Sequence, residues 1–445
     1  MSKTRPMSLL FILLSSAVSI ALGILLDHGS EAGTSSYRAV YYGARCIINQ
    51  ADPYDPGEFL RIYQTESAAI PSRETPKRLF LRAVMICVNL PTTLFLVIPL
   101  ALIPWGLSRI LWLIIIALSL TWAAFLAFDL ADHNAKPVSL ALICILLANT
   151  QVLFTVGNTA GLAVGLCVIA VWCFLKERFI GFAIVSLAIS LDLKPHDSGL
   201  IWLWLLFSGS ILRKRALQAA LLAAVIAVPA MLTAWHVSPN WPGELASNLT
   251  ATSSHGDISD PGPDSVSRKG SADVIIDLQT VLSLFRDDPR FYNSAAYLIC
   301  AALLVVWLVT TLRSRPPHPN AYFALAALAP LSMLFSYHRP YDAKLLLLAI
   351  PAVSMLWSEG RPLKYAALIL CGLSITFTGD IPLAILSILT RGIDVSAMGI
   401  ALRTLLLWLL RPAPVALLAM AIFFLWIYVR RATWPQVTSI ARESQ

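Results

Sequence analysis

Two short segments concentrate the residues best suited to hold an anion. One reads Asp192-Leu193-Lys194-Pro195-His196-Asp197, the other Tyr337-His338-Arg339-Pro340-Tyr341-Asp342-Ala343-Lys344. Lysine brings a compact positive charge and arginine a planar fork that grips an oxyanion with two hydrogen bonds. Histidine adds a donor whose charge changes near neutral pH. Both segments lie between long apolar runs, so their cations cannot stray far. Two readings fit: the cations reach toward lipid headgroups, or they meet on a bound anion. Asp197 and Asp342 are the acids placed to pair with them.

The apolar runs on either side define what must position these groups. The chain has 445 residues, of which 58% are apolar and only 13% charged, with mean hydropathy +0.73. A soluble domain carries about 25% charged residues, and this chain cannot cover its surface that way. Many runs approach the roughly 20 residues needed to cross a bilayer. Backbone groups in lipid must be satisfied internally, which makes such runs helices. The runs are continuous, as in 111–126, which rules out the alternating strands of a barrel. The expected fold is all-α and polytopic: a single membrane domain over 1–445 with about 12 spans. Expected spans cover 8–26, 82–104, 107–129, 137–175, 179–193, 197–212, 216–235, 292–312, 321–336, 345–357, 364–378 and 412–429. The stretch 137–175 exceeds one straight span. Asn149, Gln151, Gly157 and Asn158 within it predict a broken or re-entrant helix. The stretch 381–410 reads as either amphipathic or a short helical pair.

The net charge of +8 is read as basic flanks of spans, not as nucleic-acid binding. Counting 137–175 as one net crossing, Lys176/Arg178, 213–215, Arg313/Arg315, Arg361/Lys364 and Arg430-Arg431 fall on one side, the cytoplasmic one. Two large loops, 27–81 and 236–290, are then extracytoplasmic. So are six of the seven histidines: His28, His133, His196, His236, His255 and His338. Most of the seven cysteines sit in apolar runs and no Cys/His cluster stands out along the chain, so neither a disulfide framework nor a zinc site is implied.

In the first loop, Ser35 or Ser36 can cap a helix. Tyr37, Val40, Tyr41, Ala44, Ile47 and Ile48 recur at helical spacing, opposite Arg38, Tyr42, Arg45 and Asn49. The prolines of Asp52-Pro53-Tyr54-Asp55-Pro56 end it. Such a helix either rests on headgroups or walls a site. In the second loop, 253–271 reads as a flexible segment and 275–285 as a short covering helix. Asn248-Leu249-Thr250 fits a glycosylation pattern.

Taken in order, these segments resemble glycosyltransferase family 87. The resemblance lies in the run from Tyr37 to Arg45 with Asp52-Pro53-Tyr54-Asp55, in Asn89-Leu90-Pro91 with Leu96-Val97-Ile98-Pro99-Leu100, and in Gly157-Asn158. Leu193-Lys194-Pro195-His196 and Tyr337-His338-Arg339-Pro340-Tyr341-Asp342 complete it, covering about 8–360. The resemblance implies a GT-C fold and transfer of a sugar, typically mannose, from a polyprenyl-phosphate donor to a lipid or glycan acceptor at the extracytoplasmic face of the cell membrane. It implies no cofactor besides the lipid-linked donor and assigns no metal-binding residues, and the sequence does not fix a metal requirement. Lys194, His196, His338, Arg339 and Lys344 would hold the donor phosphate, and Tyr41, Tyr42, Arg45 and Tyr54 would contact acceptor or donor. A loop carboxylate would act as general base.

The sequence departs from the family where that base belongs. An aspartate usually precedes the paired aromatics by a few residues, and here the place reads Ser36-Tyr37-Arg38. The nearby candidates are Asp27, Glu31 and Asp52, with Asp55. Asp52 and Asp55 sit in a turn, where aspartate is common for conformational reasons. Two alternatives follow: a membrane transporter or flippase, or a family member that has lost its activity.

Overall fold

Where the sequence runs apolar without interior charge, the computed structural model of the chain forms helix. It describes residues 4–28, 33–67, 84–131, 135–262, 275–314, 318–360, 362–389 and 412–433. Among the described residues the regular structure is entirely helical. Six helices are long and apolar enough to cross a membrane, and several shorter apolar ones accompany them. Large apolar side chains such as Leu25, Leu118, Leu221 and Leu298 point outward. An apolar exterior is what lipid requires. The chain is an all-α, polytopic membrane protein.

The first helix, α1 (Thr4–His28), leads to α2 (Ser35–Ile48) and α3 (Pro56–Ser67), which fill the described part of the first loop. α2 is amphipathic as expected, but both faces are largely buried. Next come α4 (Pro91–Ala101), α5 (Trp105–Ala131), α6 (Lys136–Ala148), α7 (Gln151–Val156) and α8 (Ala160–Leu175). These differ from the sequence expectation in two ways.

The run expected as a span over 82–104 yields only the 11-residue α4, which packs on α2. Thr92 and Thr93 donate to the carbonyls of Asp192 and Leu193 at one end of it. Arg45 donates to Ala101 O at the other. Both ends therefore stay at the end of the bundle that carries the first loop.

The stretch 137–175, expected as one net crossing, goes to that end and back. Ala135 N–H donates to Ser354 Oγ, which donates to Ala131 O at the end of α5. α7 then reaches the loop end, where Thr34 N–H donates to Thr155 O and Trp112 to Gly157 O. α8 returns to Asp129, which takes Trp172 Nε1 at 3.0 Å and Lys176 at 3.4 Å. The polar residues Asn149 and Gln151 mark the break, and Gly157 closes α7 at φ 63°. The two differences cancel in parity, so the basic turns keep a common end.

Past Lys176 the chain continues as α9 (Ile180–Leu193), α10 (Pro195–Phe207), α11 (Ser210–Val237) and α12 (Trp241–Thr252). A four-residue α13 (Gln279–Leu282) precedes α14 (Pro289–Ser314) and α15 (His318–Leu334). A 3-10 segment (Pro340–Ala349) runs into α16 (Ile350–Ser358), followed by α17 (Leu363–Phe377), α18 (Asp380–Leu389) and α19 (Pro412–Thr433). α8, α15 and the 3-10 segment form the buried centre. At the basic end Arg431 pairs with Glu359 at 2.5 Å, and Tyr428 bonds Thr311.

Candidate functional site

Prolines set the two connections that carry the site. Pro195 begins α10 immediately after α9 ends, so Lys194 is held between two helix termini. Pro340 likewise begins the 3-10 segment, leaving His338 and Arg339 in the short link after α15. The tail of the second loop fixes that link. Ile276 N–H donates to His338 O at 2.9 Å, Leu278 N–H to Leu334 O at 3.1 Å, and the Gln279 amide to Phe335 O at 3.0 Å. The covering helix expected over 275–285 is thus reduced to α13, preceded by residues that hydrogen-bond along 334–338.

The two connections meet. The Lys194 ammonium pairs closely with the Asp342 carboxylate and lies 3.6 Å from Asp197 Oδ2. His338 Nε2 is 3.3 Å from Asp197 Oδ1, and His196 Nε2 is 3.9 Å from the same oxygen. The two imidazole rings are 4.9 Å apart and nearly perpendicular. Asp342 also accepts the Arg339 backbone N–H at 2.8 Å, and Lys194 lies over the Tyr341 ring. His338 and Asp197 are buried, whereas 37% of the His196 side chain is exposed. Burial works against the charge of Lys194, yet Asp197 and Asp342 outweigh it and raise its pKa. For His338 burial again opposes charge, and Asp197 and Asp342 again prevail, so its pKa is raised.

The other expected phosphate ligands are engaged elsewhere. The Arg339 guanidinium donates to Ile258 O at 2.8 Å, bonds the Tyr337 hydroxyl and lies over the Tyr337 ring. Lys344 donates to Asn149 O at 2.8 Å, inside the break between α6 and α7, where Asp380 accepts Val152 N–H.

The first loop uses its aromatics mainly to pack. Tyr37 stacks on Trp112 and Trp105, and Arg38 lies over Trp105. The Tyr41 hydroxyl donates to Ile103 O, Tyr42 packs edge-on against Tyr41 and Tyr63, and the Tyr54 hydroxyl donates to Asn89 O. Arg45 pairs with Glu66 at 2.5 Å. Asp52 Oδ1 accepts Tyr54 N–H and Asp55 Oδ1 accepts Gly57 N–H, the conformational role expected of turn aspartates. The Asp27 side chain and Glu31 lie outside the described residues.

Two carboxylates were not singled out by sequence. Glu244, on α12, shares a hydrogen bond with Asp52 and accepts one from Ser238 Oγ at 2.6 Å. An acid in the first turn of a helix is ordinary, so nothing in the sequence distinguished it. Asp192 is buried, and its Oδ2 has no hydrogen-bond partner among the described residues. Residues 89–93 link the acidic and cationic groups: Asn89 O takes the Tyr54 hydroxyl, and Thr92 holds Asp192 O. Of the segment 253–271 expected to be flexible, the described residues 253–262 form an ordered turn structure. There the buried Asp260 carboxylate accepts Gly256 and Gly262 N–H groups.

Two grooves lie away from this cluster. One of about 440 Å³ runs between α6 and α17, and one of about 420 Å³ along α11 is flanked by Arg213 and Lys214. Buried charge, not cavity size, singles out the cluster as the candidate site.

The sequence model of glycosyltransferase family 87 matches residues 88–336, more than half of the chain. No curated protein and no solved structure matches it.

Proposed function

The chain belongs to glycosyltransferase family 87 and is a membrane glycosyltransferase; from that premise we propose that it transfers a mannose-like hexose from a polyprenyl-phosphate donor to a lipid or glycan acceptor. The reading rests chiefly on one observation. Lys194 and His338, from connections far apart in the chain, face the same buried Asp197. A leaving phosphate gains most from fixed positive groups in a site with little water.

In the proposed step, the acceptor hydroxyl oxygen attacks the anomeric carbon opposite the phosphate. The carbon–oxygen bond to phosphate breaks, and its electron pair stays on polyprenyl phosphate. A carboxylate takes the hydroxyl proton, and the sugar configuration inverts. Lys194, His196 and His338 contact the donor phosphate, while Arg339 and Lys344 hold the surrounding connections in place. Asp27 and Glu31, at the exit of α1, are candidates for the base. So is Asp52, which shares a hydrogen bond with Glu244 on α12. No nucleotide site is needed, because the donor is lipid-linked.

The orientation rests on charge. Lys176, Arg178, Arg213, Lys214, Arg313, Lys364 and Arg430 sit at one end of the bundle, which makes that end cytoplasmic. The site then faces the extracytoplasmic side of the cell membrane. With α4 removed as a span and 137–175 counted twice, about 12 spans remain in the proposal.

The test is transfer of labelled mannose from polyprenyl-phosphate mannose by the chain in proteoliposomes. Transfer is expected, and its loss in the triple alanine variant of Asp27, Glu31 and Asp52. Transfer that survives the triple variant contradicts the proposed base. Absence of transfer by the unaltered chain favours an inactive family member, and protonophore-sensitive solute uptake favours a transporter.

A further inference from the structure

The gap between His338 and Asp197 has an unusual electrostatic character. His338 Nδ1 lies 2.8 Å from Ser336 O. A carbonyl oxygen only accepts, so Nδ1 carries the hydrogen, and in the neutral ring Nε2 presents a lone pair. That lone pair faces Asp197 Oδ1 at 3.3 Å. Both His338 Nε2 and Asp197 Oδ2 are buried without a hydrogen-bond partner among the described residues, with the Lys194 ammonium 3.6 Å from Asp197 Oδ2. A lone pair set against a carboxylate oxygen is relieved by a proton or by a metal cation on Nε2.

We propose that His196, Asp197 and His338 together bind a divalent transition-metal ion, with its remaining coordination positions open toward the donor phosphate.

Four features support the site. First, the three ligand atoms lie within 4.8 Å of one another. Bonds of about 2.0–2.2 Å to nitrogen and oxygen place tetrahedral ligands roughly 3.3 Å apart. The His338–Asp197 separation is 3.3 Å and the His196–Asp197 separation 3.9 Å, so a small movement of His196 closes the set. Second, the Nδ1–H bond to Ser336 O is the usual second partner of a metal-bound imidazole, fixing both its tautomer and its orientation. Third, the partial exposure of His196 gives an ion a way in and leaves a face of it open. Fourth, the charges leave a positive surplus. Lys194 lies against both Asp342 and Asp197, so a divalent ion added to these three groups makes the cluster net positive, which draws an anion. Two imidazoles and one carboxylate favour zinc, cobalt, manganese or iron over calcium or magnesium. A proton on His338 Nε2 is the competing occupant, so metal binding displaces it and releases acid.

The role toward phosphate rests on the transferase reading, but the ion can be tested without any sugar donor. The full chain, purified in detergent and stripped with chelator, is titrated with cobalt while its visible absorption and bound metal are measured. About one cobalt per chain is expected, with binding lost in D197N and in H196A. His196 is partly exposed, so H196A is expected to retain the unaltered chain's melting temperature. H255A, which alters an exposed histidine beside Asp260 and Asp287, is expected to bind as the unaltered chain does. Failure of the stripped chain to take up cobalt or zinc stoichiometrically overturns the proposal. So does equal uptake by D197N and H196A, which would locate the ion elsewhere. Stoichiometric metal binding in a chain that transfers no sugar supports the metal site and contradicts the transferase reading. Sugar transfer by a chain that binds no metal does the reverse.

Discussion

The Lys194 ammonium and the Asp342 carboxylate pair across the junction of the α9–α10 turn and the 3-10 segment, joining two connections far apart in the chain. A buried charge left alone is costly, so removing one partner destabilises far more than removing both. Lys194→Met is expected to cost about 3–5 kcal/mol, because Asp342 and Asp197 lose their shared cation. Lys194→Met combined with Asp342→Leu is expected to recover most of that loss. Thermal unfolding in detergent checks both. Equal losses in the single and double variants would show that the pair is not coupled.

Glu244 predicts a pH-dependent term. Burial and its hydrogen bond to Asp52 raise its pKa above the ordinary 4.5, against the lowering effect of Ser238. The folded chain then holds this proton over a range where the unfolded chain has released it. Stability from this pair is greatest below the ordinary glutamate range and falls as pH rises through the raised value. Glu244→Gln is therefore expected to raise the melting temperature near neutral pH and to have little effect in acid. A gain that is independent of pH would contradict the shared hydrogen bond.

Lys344 is expected to behave as a structural residue. Its ammonium holds Asn149 O at the break that turns α6 into α7. Lys344→Met is expected to lower stability by about 1–3 kcal/mol, the cost of a buried group left unpaired, while KM for the donor stays unchanged in the folded fraction. A selective rise in KM would return Lys344 to the phosphate site.

Close helix contacts predict sharp size limits. A Cβ at Gly23 meets Phe154 Cβ at 2.5 Å and Gln151 O at 2.9 Å, and one at Gly161 meets Ile116 Cγ2 at 2.5 Å. Small residues allow such backbones to approach in membranes. Gly23→Ala and Gly161→Ala are each expected to cost about 1–3 kcal/mol through overpacking, whereas Gly181→Ala, with open space around it, is expected to be nearly neutral. Melting temperatures of the three variants distinguish these cases.

Sequence pattern located the helices because lipid leaves an apolar run no other option. It located the two connections because Pro195 and Pro340 restart helices immediately after Lys194 and Arg339. It misread α4 because hydropathy registers apolar character without distinguishing a lipid-facing span from a helix packed on α2. It placed the break in 137–175 but miscounted the stretch as one net crossing, because Asn149 and Asn158 signal a break without fixing how many times the chain crosses. The convergence of Lys194 and His338 was foreseen as a possibility, but their partners decide the chemistry. Arg339 turns to Ile258 and Lys344 to Asn149, contacts between distant segments that no local spacing encodes. The Asp52–Glu244 pair was hidden for the same reason.

The most direct measurement is an experimental structure of the full chain with polyprenyl phosphate bound in a lipid nanodisc. The account predicts the phosphate beside His196 and His338, within reach of Lys194, at the end of the bundle carrying α2 and α12. A phosphate held instead at the opposite end, along the α11 groove beside Arg213 and Lys214, would contradict it.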